Sequence, residues 1–131
     1  MISLKAAAEF HGHLGPWLVL GLRLGEYGVK AIRAKRYFGV ETEVFGLCSR
    51  PRSCLIDGLQ LSTGCTLGKG NIKVRPRGKI RIRLVNCRNN KVLTLFLKQG
   101  ILDILDKTRE SRECQKLAKR LYKMSIEEMV L

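Results

Sequence analysis

A chain of 131 residues with 45% hydrophobic and 27% charged residues has the composition of one globular domain able to bury a core unaided, which excludes an intrinsically disordered protein. Met1-Ile2-Ser3-Leu4-Lys5 does not read as a secretory leader and no apolar run is long enough to cross a bilayer, so no membrane partner and a cytoplasmic location are expected. The formal net charge of +14 predicts attraction to phosphates, nucleic acid or small anions.

In chain order, residues 4 to 10 suit a short helix that must stop near Gly12, because Gly15 and Pro16 follow at once. His11 and His13 then fall in a turn. Pro16 is placed as the first residue of a second helix running to about Lys35, with Gly15 before it extended. Trp17, Leu18, Leu20, Leu22, Leu24, Val29 and Ile32 make that helix apolar almost all round, as in a buried helix. Gly21, Gly25 and Gly28 mark one narrow face. They either weaken the helix by about 1 kcal/mol each or admit another backbone at close range, and the surrounding leucines favour close packing.

Residues 37 to 47 read as a strand, 49 to 53 as a loop, Cys54 to Ser62 as a helix, and the stretch through Gly64, Gly68 and Gly70 as an irregular loop. From Lys79 to Val85, cations alternate with Ile80, Ile82 and Leu84, the period of a strand with one basic face. No acidic residue stands between Asp57 and Asp103. Asn89-Asn90 suits a turn into a strand at Val92 to Leu97. From about Gln99 the chain reads as helical, with Cys114, Leu117, Leu121 and Met124 as the stripe of the last helix. The expected architecture is α+β, an antiparallel sheet packed with helices, in a single domain spanning 1-131.

The two histidines flank one glycine. In an extended turn they share a face, as joint metal coordination requires, and a helix start behind them favours neutral, metal-binding imidazole. Satisfying backbone groups in the turn is an equal alternative. Two ligands do not close a transition-metal site, so thiolates must complete it, from among Cys48, Cys54 and Cys65. Five cysteines without a framework spacing read as free thiols or ligands, and Cys87 and Cys114 as small hydrophobes. Asp57, one helical turn after Cys54, would orient a histidine or act as a base, or else cap the helix or pair with an arginine. Gly64-Cys65-Thr66-Leu67-Gly68-Lys69-Gly70-Asn71 superficially resembles a phosphate loop without fitting the Walker pattern.

Two motifs, Phe10-His11-Gly12-His13-Leu14-Gly15-Pro16 leading into the glycine-bearing helix, and Cys54-Leu55-Ile56-Asp57-Gly58-Leu59-Gln60 followed by Thr63 to Asn71, resemble the FmdE family, which takes its name from association with formylmethanofuran dehydrogenase. The resemblance covers residues 4 to about 105. It implies a cleft in which the histidine turn faces the Cys54 helix. Carried over by position, it implies His11, His13, Cys54 and Cys65 as ligands of a divalent transition metal, zinc first. Asp57, Cys54 and Lys69 become catalytic candidates, and Gln60, Thr63, Thr66 and Asn71 candidates for holding a cofactor. Many members carry cysteine where this chain has Gly15, and longer ones a zinc-binding module rich in Cys-x-x-Cys pairs; only Cys87 and Cys114 follow the motif here, so that module is expected to be absent.

The leading expectation is a metal-binding, enzyme-like or accessory domain in one-carbon or molybdopterin-linked metabolism, acting on or near an anionic small molecule. Lys69 would hold the anion at the cleft mouth, and a homodimer is an open alternative. A basic nucleic-acid-binding module ranks lower, because aromatic residues are 6% and none lies near the basic strand in the chain to stack bases.

Overall fold

The computed structural model describes all residues from 1 to 131. Helix α1 (Leu4–His11) starts where the Ser3 hydroxyl accepts from the Ala6 N–H, and stops at Gly12, whose φ of 108° lets its N–H reach the Ala8 carbonyl. Helix α2 (Pro16–Ala31) begins with proline at its first turn behind an extended Gly15. It ends four residues before the expected Lys35. Arg33 takes a φ of 52°, and the buried Asn86 amide donates to the Ile32 and Arg33 carbonyls, closing the helix end from across the fold.

The glycine face does admit close packing. Helix α3 (Cys54–Thr63) lies against α2 so tightly that a Cβ on Gly21 would stand 2.9 Å from the Gly58 Cα and collide with the Leu55 carbonyl. Gly25 opposes Ser62, and Gly28 opposes Leu84 of the sheet. The Ser62 hydroxyl, donating to Gly21 and Gly58 carbonyls, straddles the crossing.

Four strands form one sheet in the order β2-β1-β3-β4: β1 (Val40–Phe45), β2 (Ile72–Arg75), β3 (Arg81–Asn86) and β4 (Val92–Phe96). The sheet is mixed and mostly antiparallel. The unexpected member is β2, parallel to β1; among its residues only Ile72 is buried, so this edge strand carries no hydrophobic alternation to read. Val40, Val44, Ile82 and Leu84 face the helical layer and are fully buried.

The opposite face is open. Register across all four strands aligns Arg75, Phe45, Arg81 and Phe96 in one row. Aromatic rings therefore do flank the basic strand, contrary to the reading in chain order, because sheet pairing joins residues distant in sequence.

The helical stretch expected from Gln99 consists of α4 (Gln99–Lys107), α5 (Ser111–Lys123) and α6 (Ile126–Met129). Leu117 and Leu121 of the anticipated stripe are buried, with Cys114 and Met124 at its edges. Helix α5 docks on α2 through Arg23, whose Nη1 donates to the carbonyls of Leu121, Tyr122 and Met124 at 3.2, 2.8 and 2.7 Å. A cation meets the negative end of the α5 dipole there. No helix is long and apolar enough to cross a membrane.

Candidate functional site

His11 is the last residue of α1 rather than part of the turn, and the left-handed Gly12 reverses the chain so that the His11 and His13 ring centroids lie 4.8 Å apart. The residues implied to work together separate into two groups at opposite ends of α3.

At its N-terminal end, Asp57 Oδ2 lies 2.5 Å from His11 Nδ1. A carboxylate only accepts, so Nδ1 carries a proton, and in the neutral imidazole the lone pair falls on Nε2. That Nε2 is buried and has no hydrogen-bond partner, the one buried side-chain nitrogen or oxygen atom so placed. Asp57 therefore orients a histidine, one of the roles the sequence allowed it.

His13 and Cys54 open onto a cleft of about 720 Å³. Pro16 and Trp17 line it from α2, Arg50 and Arg52 from the loop before α3, and Leu105, Asp106, Arg109 and Cys114 from the C-terminal helices and their junction. Arg52 makes a two-pronged pair with Asp106, Nη2 to Oδ2 at 2.6 Å and Nε to Oδ1 at 3.3 Å, tying the loop to α4. Arg50 and Arg109 enter no ion pair, leaving the cleft net positive. Burial first, and the Asp57 charge second, push the Cys54 thiol above its ordinary range, with Arg50 opposing. With burial and Asp57 outweighing Arg50, Cys54 holds its proton and is a poor nucleophile.

At the C-terminal end the remaining motif residues build a loop. Gln60 Oε1 accepts from the Leu67 N–H, Thr63 Oγ1 from the Cys65 N–H, and Asn71 Oδ1 from the Thr66 N–H, while the Asn71 amide donates to the Tyr37 carbonyl. Thr66 Oγ1 accepts from Lys69 Nζ at 3.0 Å, and that ammonium lies about 6 Å from the Tyr37 and Phe38 rings. Lys69 therefore does not reach the mouth of the cleft. Cys65 is fully buried, its Sγ between Val40 O and Thr42 Oγ1. An α3 of ten residues puts it about 15 Å along the helix from Cys54, too far to share an ion with the histidines. Cys48 is exposed and absent from the cleft lining.

No group of three or more His, Cys, Asp or Glu side chains is arranged to hold a metal ion. The arginines and Asp106 were missed in the sequence. The basic Arg50-Pro51-Arg52 stretch beside the motif was the available signal for two of them; Arg109 lies far along the chain from the motifs and reaches the cleft only through the junction of α4 and α5.

The family model "FmdE, Molybdenum formylmethanofuran dehydrogenase operon" matches residues 10–130, so the C-terminal helices, beyond the expected limit near 105, lie within the match. A "Probable S-adenosyl-L-methionine-binding protein" of Archaeoglobus fulgidus is 30% identical over 101 residues, 72% of this chain and 26% of that protein. The chain thus spans about a quarter of the length of this relative. With its histidine turn, its Cys54 helix and a family match over nearly its whole length, the chain belongs to the FmdE family.

Proposed function

We propose that this domain serves formylmethanofuran dehydrogenase-associated one-carbon metabolism by binding a small anionic molecule in the cleft beside a divalent metal ion, zinc first. The observation that carries the reading is His11: Asp57 engages Nδ1, while Nε2 is buried and partnerless, the arrangement in which a carboxylate orients a metal-ligating imidazole. His11, His13 and Cys54 offer two imidazoles and a thiol, a donor set that suits zinc and leaves a position for solvent or ligand once side-chain rotation on binding brings the three to one ion. When bound, the ion supplies Lewis-acid polarisation of an oxygen ligand and favours the Cys54 thiolate. Arg50 and Arg109 hold the anion's charge. Cys54 acts as a ligand rather than a nucleophile, which favours an accessory, ligand-holding role over covalent catalysis.

The relative's name offers S-adenosylmethionine as a second occupant, and Trp17 in the wall gives an adenine a ring to meet. The unpaired arginines oppose its sulfonium. Calorimetric zinc titration of metal-free protein should give one ion per chain in the wild type and in Cys65→Ala, and loss of binding in His11→Ala and Cys54→Ser. Zinc-loaded protein should then be stabilised thermally by formate or inorganic phosphate more than by S-adenosylmethionine. Equal zinc binding by all four proteins would overturn the metal reading, and the reverse ligand order the anion reading.

A further inference from the structure

The open face of the sheet is independent of the cleft and carries its own chemistry. Arg75, Phe45, Arg81 and Phe96 cross it in one row, and Lys73, Glu43, Arg83 and Thr94 form the next. The Arg81 guanidinium sits 3.6 Å from the Phe45 ring centroid, and Lys79 Nζ lies 5.7 Å from that of Phe96. Both rings are half-buried, where a four-stranded sheet facing water would otherwise carry small polar side chains.

The charges on this face are unevenly satisfied. Glu43 takes both Arg75 and Arg83, while Lys73, Arg77, Lys79 and Arg81 enter no ion pair. Two of these four, Lys79 and Arg81, lie against the aromatic rings of the row. A second copy of this chain is a poor occupant, because it would bring another +14 against the same cations.

We propose that this face is a platform for single-stranded nucleic acid, with the Arg81 guanidinium and the Phe96 ring stacking bases while Arg77, Lys79 and Lys73 take phosphates. Phe45 acts through Arg81: it holds the guanidinium in place so that its outer plane is ready for a base. Neighbouring strands lie about 4.8 Å apart, so Arg81 and Phe96, on adjacent strands, offer two adjoining stacking surfaces. A duplex, whose bases are already stacked, gains only the phosphate contacts.

The test is fluorescence anisotropy with a labelled twelve-residue oligouridylate, the matching oligothymidylate, and a duplex of equal length, over a series of salt concentrations. The two single strands distinguish RNA from DNA. Wild type should bind a single strand at least about 10-fold tighter than the duplex. Phe96→Leu and Arg81→Lys, which keep bulk and charge respectively while removing the stacking plane, should each weaken single-strand binding about 10-fold without altering the salt slope. Arg77→Gln with Lys79→Gln should instead flatten that slope by about 1.4, at about 0.7 per phosphate contact. Thermal melts check that each variant folds. Three results would overturn the proposal: no single-strand binding at low salt, binding that ignores Phe96→Leu and Arg81→Lys, or a self-associated wild type that Phe96→Leu converts to monomer.

Discussion

Substitution of Gly21 by alanine tests whether the α2–α3 crossing positions the site. The added Cβ would lie 2.9 Å from both the Gly58 Cα and the Leu59 nitrogen, and closer still to the Leu55 carbonyl. Ordinary carbon contacts are about 3.5–4.0 Å, so the helices must separate by roughly 1 Å. All three atoms are backbone, and no rotamer change relieves them. Overpacking of this kind costs about 1–3 kcal/mol, with the upper end expected at a rigid crossing, and the better helix propensity of alanine returns about 1 kcal/mol. The net expectation is a loss of about 2 kcal/mol, which at a urea slope of about 2 kcal/mol per molar lowers the unfolding midpoint by about 1 M. Gly100→Ala is the control: it lies in α4 with no atom within 4 Å of a new Cβ, and should raise stability by about 0.5 kcal/mol. Because α3 carries Cys54 and Asp57, Gly21→Ala should also weaken zinc binding while Gly100→Ala leaves it unchanged. A Gly21→Ala midpoint within about 0.25 M of wild type would refute the close-packing argument.

In metal-free protein at pH 8, iodoacetamide should modify the exposed Cys48 well before Cys54; equal rates would show that burial does not hold the Cys54 proton. The folded thiol sits above its ordinary value of 9.0, so its contribution to stability is complete below that pH and is lost as pH rises beyond it. Cys54→Ala should therefore flatten the fall in stability between pH 8 and pH 10, measured by urea unfolding. Arg23→Met, which keeps the stem but removes three hydrogen bonds to the end of α5, should cost about 2–3 kcal/mol and expose α5 to proteolysis; unchanged trypsin resistance would count against that docking role.

How much was legible can be judged from particular residues. The glycines of α2 announced close packing because only a missing Cβ lets two helix backbones touch, and the partner proved to be α3 through Gly58. The histidines and Cys54 were legible as neighbours, and Asp57 as a residue open to a histidine among other partners, the one it takes being His11. Lys69, Thr66 and Asn71 were legible as a group but not as to place, since a motif read along a line does not reveal that a helix separates its two halves by its own length.

By itself the sequence determined the local and periodic features: the break at Gly12, the helix start at Pro16, the burial of α2, the alternation of β3, the α+β class and the family. These follow from forces acting within a turn or two of chain, or from one repeating period of apolar residues. The tertiary structure alone decided the rest. It added β2 beside β1, where backbone pairing compensates for a missing hydrophobic pattern. It also brought Arg109 and Cys114 to the cleft and set Arg81 between two phenylalanines. Those juxtapositions come from sheet register and helix docking, which join residues far apart in the chain and leave no local trace in it.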